Sequence, residues 1–122
     1  MNTHLILTLL ATHTIWDFIM QSRWMGNNKS KELKPLLAHA LTYSVGLVIW
    51  AGFAMNGVWS AQTMIYFIAL NMVFHFITDF FTSKISRYYY ETGQEGAFWN
   101  TIGIDQFIHA ATLIYTLEHF TN

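Results

Sequence analysis

Four apolar stretches alternate with polar ones along the chain, over about residues 4–21, 35–55, 61–87 and 100–120. A helix needs roughly 17 to 25 mostly apolar residues to cross a bilayer, and each stretch reaches that range. The first is marginal alone, because Asp17 costs about 3 kcal/mol at mid-helix while each Leu, Ile or Phe returns only about 0.5 kcal/mol. It therefore relies on neighbouring helices for its polar face.

Residues 22–34 form a polar loop with Gly26, Asn27 and Asn28 as breakers, and Pro35 stands where a helix can start. Asn56-Gly57 signals a turn, and Trp59 after it suits a membrane interface. Tyr88-Tyr89-Tyr90 and Trp99 bracket a second polar loop over 88–99. The pattern predicts an all-α, integral membrane four-helix up-down bundle, a single transmembrane domain over 1–122 arranged as two tandem helical hairpins.

The apolar stretches carry a recurring polar phrase. His13-x-x-x-Asp17 and His75-x-x-x-Asp79 have it in one order, and Asp105-x-x-x-His109 has it in reverse. A spacing of four puts imidazole and carboxylate on one helix face, a turn apart. Gln21 extends the first stripe, Asn71 the third, and His39 lies in the first turns of the second helix. Counting from the polar loops at 1.5 Å per residue sets the aspartates of the first and fourth helices roughly 6 to 8 Å inside the boundary. Asp79 is similarly close to its helix end, His39 lies near the aspartates, and His13, His75 and His109 are one turn deeper. All seven side chains are thus expected to meet in the same half of the bundle.

Composition sharpens this picture. The chain is 53% hydrophobic and 11% charged over 122 residues, with a mean hydropathy of +0.30, against about 25% charge in soluble domains. The basic residues fall in two windows, Arg23, Lys29, Lys31 and Lys34, then Lys84 and Arg87. Both windows flank the same side, so the positive-inside rule puts both loops in the cytoplasm and both termini outside. Without a basic N-terminal region the first segment is expected to stay as a membrane helix. There is no cysteine, which excludes a thiolate site or disulfide frame. No nucleotide-binding loop, nucleophilic serine setting or nucleic-acid motif stands out.

Four histidines and three carboxylates without thiols match the nitrogen and oxygen ligands of zinc, manganese or iron, and their number suffices for two ions. The candidate metal ligands are His13, Asp17, His39, His75, Asp79, Asp105 and His109, with Gln21 and Gln106 as orienting groups behind them. Asp17, Asp79 and Asp105 are also the candidates for proton transfer. Lys31, Lys34, Lys84 and Arg87 are candidate phosphate or headgroup contacts. Lys84 lies off the polar stripe and is expected to snorkel to the headgroups. Two alternatives use the same residues: an interhelical hydrogen-bond network that only fixes the bundle, and a proton or ion path. His4 and His119 sit near the outer ends and read as interfacial.

The ordered set His13-x-x-x-Asp17-Phe18-x-x-Gln21, a lysine-bearing loop, His39, His75-x-x-x-Asp79 with Lys84, and Asp105-Gln106-x-x-His109 resembles a small bacterial and phage membrane family catalogued as domain of unknown function 3307. The resemblance covers nearly the whole chain and implies a four-helix membrane protein, without supplying an activity. The layout is more loosely similar to membrane proteins named as metal-dependent hydrolases. The leading expectation is a metal-dependent hydrolase acting on a lipid or phosphorylated lipid. The alternatives are a divalent-ion or proton transporter or channel, and a non-catalytic membrane interaction module. The expected partners are the bilayer, an anionic lipid substrate and a second copy in a homo-oligomer, with no nucleic acid.

Overall fold

The computed structural model describes residues 2–122, and every regular element among them is helical. Helix α1 (Thr3–Thr14) starts under Asn2, whose side chain accepts from the His4 amide at 2.9 Å, one of the orphan donors of a helix start. It runs without a break into a π-helical turn, Ile15–Ile19, closed by the Met20 amide on the Ile15 carbonyl at 2.9 Å. Helix α2 (Arg23–Asn28) is capped by Ser22, which accepts from the Met25 amide. Helix α3 (Leu33–Ala54) tolerates Pro35 because a first-turn residue has no intrahelical use for its N–H.

Helix α4 (Ala61–Glu91) is capped by Ser60, and α5 (Glu95–Thr121) completes the chain. Helices α3 and α4, of 22 and 31 residues, are long and apolar enough to cross a membrane, each containing an 18-residue stretch with a mean hydropathy of 1.6.

Two boundaries differ from the sequence reading. Residues 22–34 are not all loop, since α2 lies within them. The polar loop expected over 88–99 contracts to three residues, because the tyrosines continue α4 and α5 begins at Glu95. Gly93 explains the compact joint: at φ +72° it takes the left-handed position that ends a helix, and the Gln94 amide then reaches back to the Tyr89 carbonyl at 2.9 Å. Glu95, in the first turn of α5, faces favourable helix-dipole charge.

Helix α3 packs on α1 and α4, and α5 packs on α4 and α1. The interior is divided lengthwise. Toward the chain termini it is apolar, with Leu9, Leu47, Trp50, Trp59, Phe67, Leu113 and Leu117 in one buried cluster. Toward the connections α1–α3 and α4–α5 it is polar. Outward faces invert the usual soluble pattern: Leu37, Leu41, Val45, Val48 and Phe53 of α3 and Ile65, Leu70, Val73, Ile77, Phe81 and Ile85 of α4 are exposed, while His and Asp side chains are buried.

Candidate metal centre

Each member of the polar set is delivered by a helix whose spacing was legible beforehand. Helix α4 presents His75 and Asp79 one turn apart, α5 presents Asp105 and His109, α3 brings His39 from its second turn, and α1 with its π turn supplies His13 and Asp17. All seven are buried. Asp17 sits in the π turn itself, a local device that is frequent at functional sites.

Four ligand atoms converge from three segments, the π turn, α3 and α4. His39 Nε2 is 3.0 Å from Asp17 Oδ1 and 3.0 Å from Asp79 Oδ2. His75 Nε2 is 3.4 and 3.6 Å from the same two oxygens. The two imidazole nitrogens are themselves 3.0 Å apart, and one ligand atom from each residue lies within 4.8 Å of all the others. Donors held about 2.0–2.1 Å from a tetrahedral zinc ion are roughly 3.3–3.4 Å from one another, so the observed spacings are close to the edges of such a cage. As hydrogen bonds the contacts are over-subscribed. The His39 Nε2 faces three partners at 3.0 Å, and a ring nitrogen carries at most one proton.

A second group adjoins the first through Asp17, which belongs to both: Asp17, Asp105 and His109 also offer ligand atoms within 4.8 Å of one another. His109 Nε2 is 3.3 Å from Asp105 Oδ2 and 3.1 Å from Asp79 Oδ1. The two groups could each hold a metal ion on geometric grounds.

His13 belongs to neither group. Its Nε2 pairs with Gln106 Oε1 at 2.8 Å and stands 4.0 Å from Asp17. The Gln106 amide in turn donates to Asp17 Oδ2 at 2.9 Å and to Asp105 Oδ2 at 3.0 Å, the behaviour expected of a group that orients ligands. Gln21 differs: it borders the neighbouring cavity, and its buried Oε1 has no hydrogen-bond partner. His4 and His119 are exposed, away from the centre.

Three participants stand outside the candidate set read from the sequence, which places Tyr43 only near the face of His39. Lys29 crosses from the segment after α2 to bind Asp79 Oδ2 at 3.1 Å; nothing in a loop lysine signals this. Tyr43 stacks on His75 with ring centroids 4.0 Å apart, and its place four residues after His39 was a usable signal. Thr82 donates to Asp105 Oδ1, and it lies three residues after Asp79 on the same stripe. Asp17, Asp79 and Asp105 are only 4%, 1% and 7% exposed. Lys29 is the one Lys or Arg among the described residues that pairs with any of them, so three buried carboxylates meet a single ammonium. Buried charge of that kind requires compensation by further cations or protons.

The basic residues named from sequence do other work as well. Lys84 does not extend freely: its Nζ donates to the Ser30 carbonyl at 2.8 Å and sits over the Phe80 ring. Arg87 bonds Ser30 Oγ and pairs with Glu91 at 2.7 Å. Together they fasten the segment after α2 beside a cavity of about 580 Å³ whose walls include Asp17, Asp105, Lys29, Lys31 and Arg87. Lys34 does not border this cavity.

Fold and site define an all-α protein with a buried His/Asp cluster that could hold metal and two helices apolar enough to span a membrane. The chain belongs to the family described as "Protein of unknown function (DUF3307)", whose model matches residues 5–122. No curated protein and no solved structure matches the chain.

Proposed function

We propose that this is an integral membrane protein, a four-helix up-down bundle, whose His/Asp centre holds a divalent transition ion near the cytoplasmic face and hydrolyses a lipid or phosphorylated lipid. The observation that carries the metal reading is the tetrahedral spacing of Asp17, His39, His75 and Asp79, with more short contacts than two ring nitrogens have protons to supply. The outward apolar faces of α3 and α4 around a buried polar centre support the membrane reading.

A bound divalent ion supplies acidity to a water and polarises a phosphoryl or acyl oxygen. The chain supplies the rest. Asp105 lies outside the four-atom cage and borders the cavity, so its carboxylate is suited to take the proton of the attacking water and return it to the leaving oxygen. Gln106 holds Asp105 and Asp17 in register for that exchange. A second ion held by Asp17, Asp105 and His109 would take Asp105 as a ligand, so the proton role of Asp105 belongs to the one-ion form.

The transport alternative receives less support. Trp50, Trp59, Phe67, Leu113 and Leu117 fill the other half of the interior, so a polar route from the centre to the far side would need a second copy. The test is elemental mass spectrometry of detergent-purified wild type against a His75→Ala, Asp79→Ala double variant of preserved helicity. One or two transition ions per chain, absent from the variant, are expected. Metal-free wild type after chelator-free purification would leave the hydrogen-bond network as the better account.

A further inference from the structure

The cavity beside the centre combines two chemistries. Its lining includes Asp17 and Asp105 of the His/Asp cluster together with Lys29, Lys31 and Arg87, and Glu91 paired with Arg87. Phe18, Tyr90 and Phe98 supply apolar lining, and Phe18 and Tyr90 are also exposed at the surface. A space of about 580 Å³ with that lining suits a molecule having an anionic head and an apolar tail.

Lys29 links cavity and centre. Its ammonium touches Asp79 Oδ2, the oxygen that also forms cage edges with His39 and His75. An ion in the cage and the ammonium compete for that oxygen and repel each other. The lysine side chain is 20% exposed and borders the cavity, so an ammonium released from Asp79 has the cavity open to it. A third cation would then face the space where substrate lies.

We propose that this cavity binds the phosphate of a lipid phosphomonoester, with Lys29, Lys31 and Arg87 as its contacts and Lys29 as the contact nearest the centre. The inference rests on the hydrolase reading above and narrows its substrate from lipids in general to phosphorylated ones. Lys31 makes no side-chain hydrogen bond or ion pair among the described residues, Arg87 meets Glu91 through Nε alone, and an ion in the cage would free Lys29 from Asp79. A phosphate dianion would use these donors in charge-assisted hydrogen bonds, which a neutral ester would not.

Isothermal titration calorimetry of zinc-loaded protein in detergent micelles tests this with dioctanoyl phosphatidate, dioctanoylglycerol and inorganic phosphate. Phosphatidate is expected to bind at least tenfold more tightly than either of the others. Lys29→Met should lower its affinity at least tenfold at unchanged zinc content, Lys29→Arg should restore most of it, and Arg23→Met, an exposed cation outside the cavity, should have no effect. Equal binding of phosphatidate and dioctanoylglycerol overturns the proposal, as does an inert Lys29→Met or one that loses zinc. Inorganic phosphate binding as tightly as phosphatidate overturns the lipid assignment. Wild type that takes up no zinc refutes the metal reading instead. In that case phosphatidate binding that is lost in Lys29→Met still supports the pocket, and its absence removes it.

Discussion

The Trp16 side chain lies so close to Gly46 that a Cβ at Gly46 would stand 2.3 Å from Trp16 Cγ. The missing side chain is what lets the π turn and α3 approach at this level. Trp16 immediately precedes Asp17, so a shift at this contact is expected to move Asp17 relative to His39. Gly46→Ala is therefore expected to destabilise the protein by about 1–3 kcal/mol through overpacking and to weaken zinc binding. Adding Trp16→Leu should recover part of both losses. Thermal unfolding followed by circular dichroism, with a zinc titration on each variant, checks this. An unchanged single variant would show that the helix contact is not rigid.

The positions of His39 and His13 predict unequal effects on metal affinity. His39 forms cage edges with three other ligand atoms, whereas His13 reaches Asp17 through Gln106. His13→Ala should cost about 10–100-fold in zinc affinity, as expected for an orienting group, and His39→Ala considerably more. Competition with a chromophoric chelator measures both, and equal losses would refute the distinction between cage and support.

Metal removal should destabilise the fold. A ligand at 100 times its dissociation constant stabilises a native state by about 2.7 kcal/mol, and its loss here also leaves three buried carboxylates facing one ammonium. Chelation is expected to lower the unfolding temperature of wild type, and added zinc to restore it. The His75→Ala, Asp79→Ala variant should respond to neither treatment. A chelator-insensitive wild type would contradict a stabilising ion.

Lys84 and Arg87 both bond Ser30, which pins the α1–α3 connection against α4. The Lys84→Met, Arg87→Met double variant should release it. A loss of about 1–2 kcal/mol corresponds to roughly 5- to 30-fold faster local opening, readable as amide exchange over residues 23–31. Exchange at His75 and His109 should stay slow, because those turns are held by the helices themselves. Uniform acceleration would indicate global rather than local loosening.

The sequence by itself determined the helical stretches and the composition of the centre. Spacing of four within an apolar run is a local property, so His13 with Asp17, His75 with Asp79 and Asp105 with His109 declare their shared faces without knowledge of neighbours. Depth counted from the polar connections then placed all seven in one half of the interior, where the structure has them buried. The tertiary structure alone decided their roles. Periodicity does not fix how far each helix rotates against the next, so it did not separate His13 from the cage or Gln106 from Gln21. The chain leaves helical conformation after the π turn, which sends Gln21 to the cavity wall instead of along the α1 stripe. Lys29 and Lys84 depend on the path of the connecting segment, and that path is set by the surfaces it packs on rather than by its own residues.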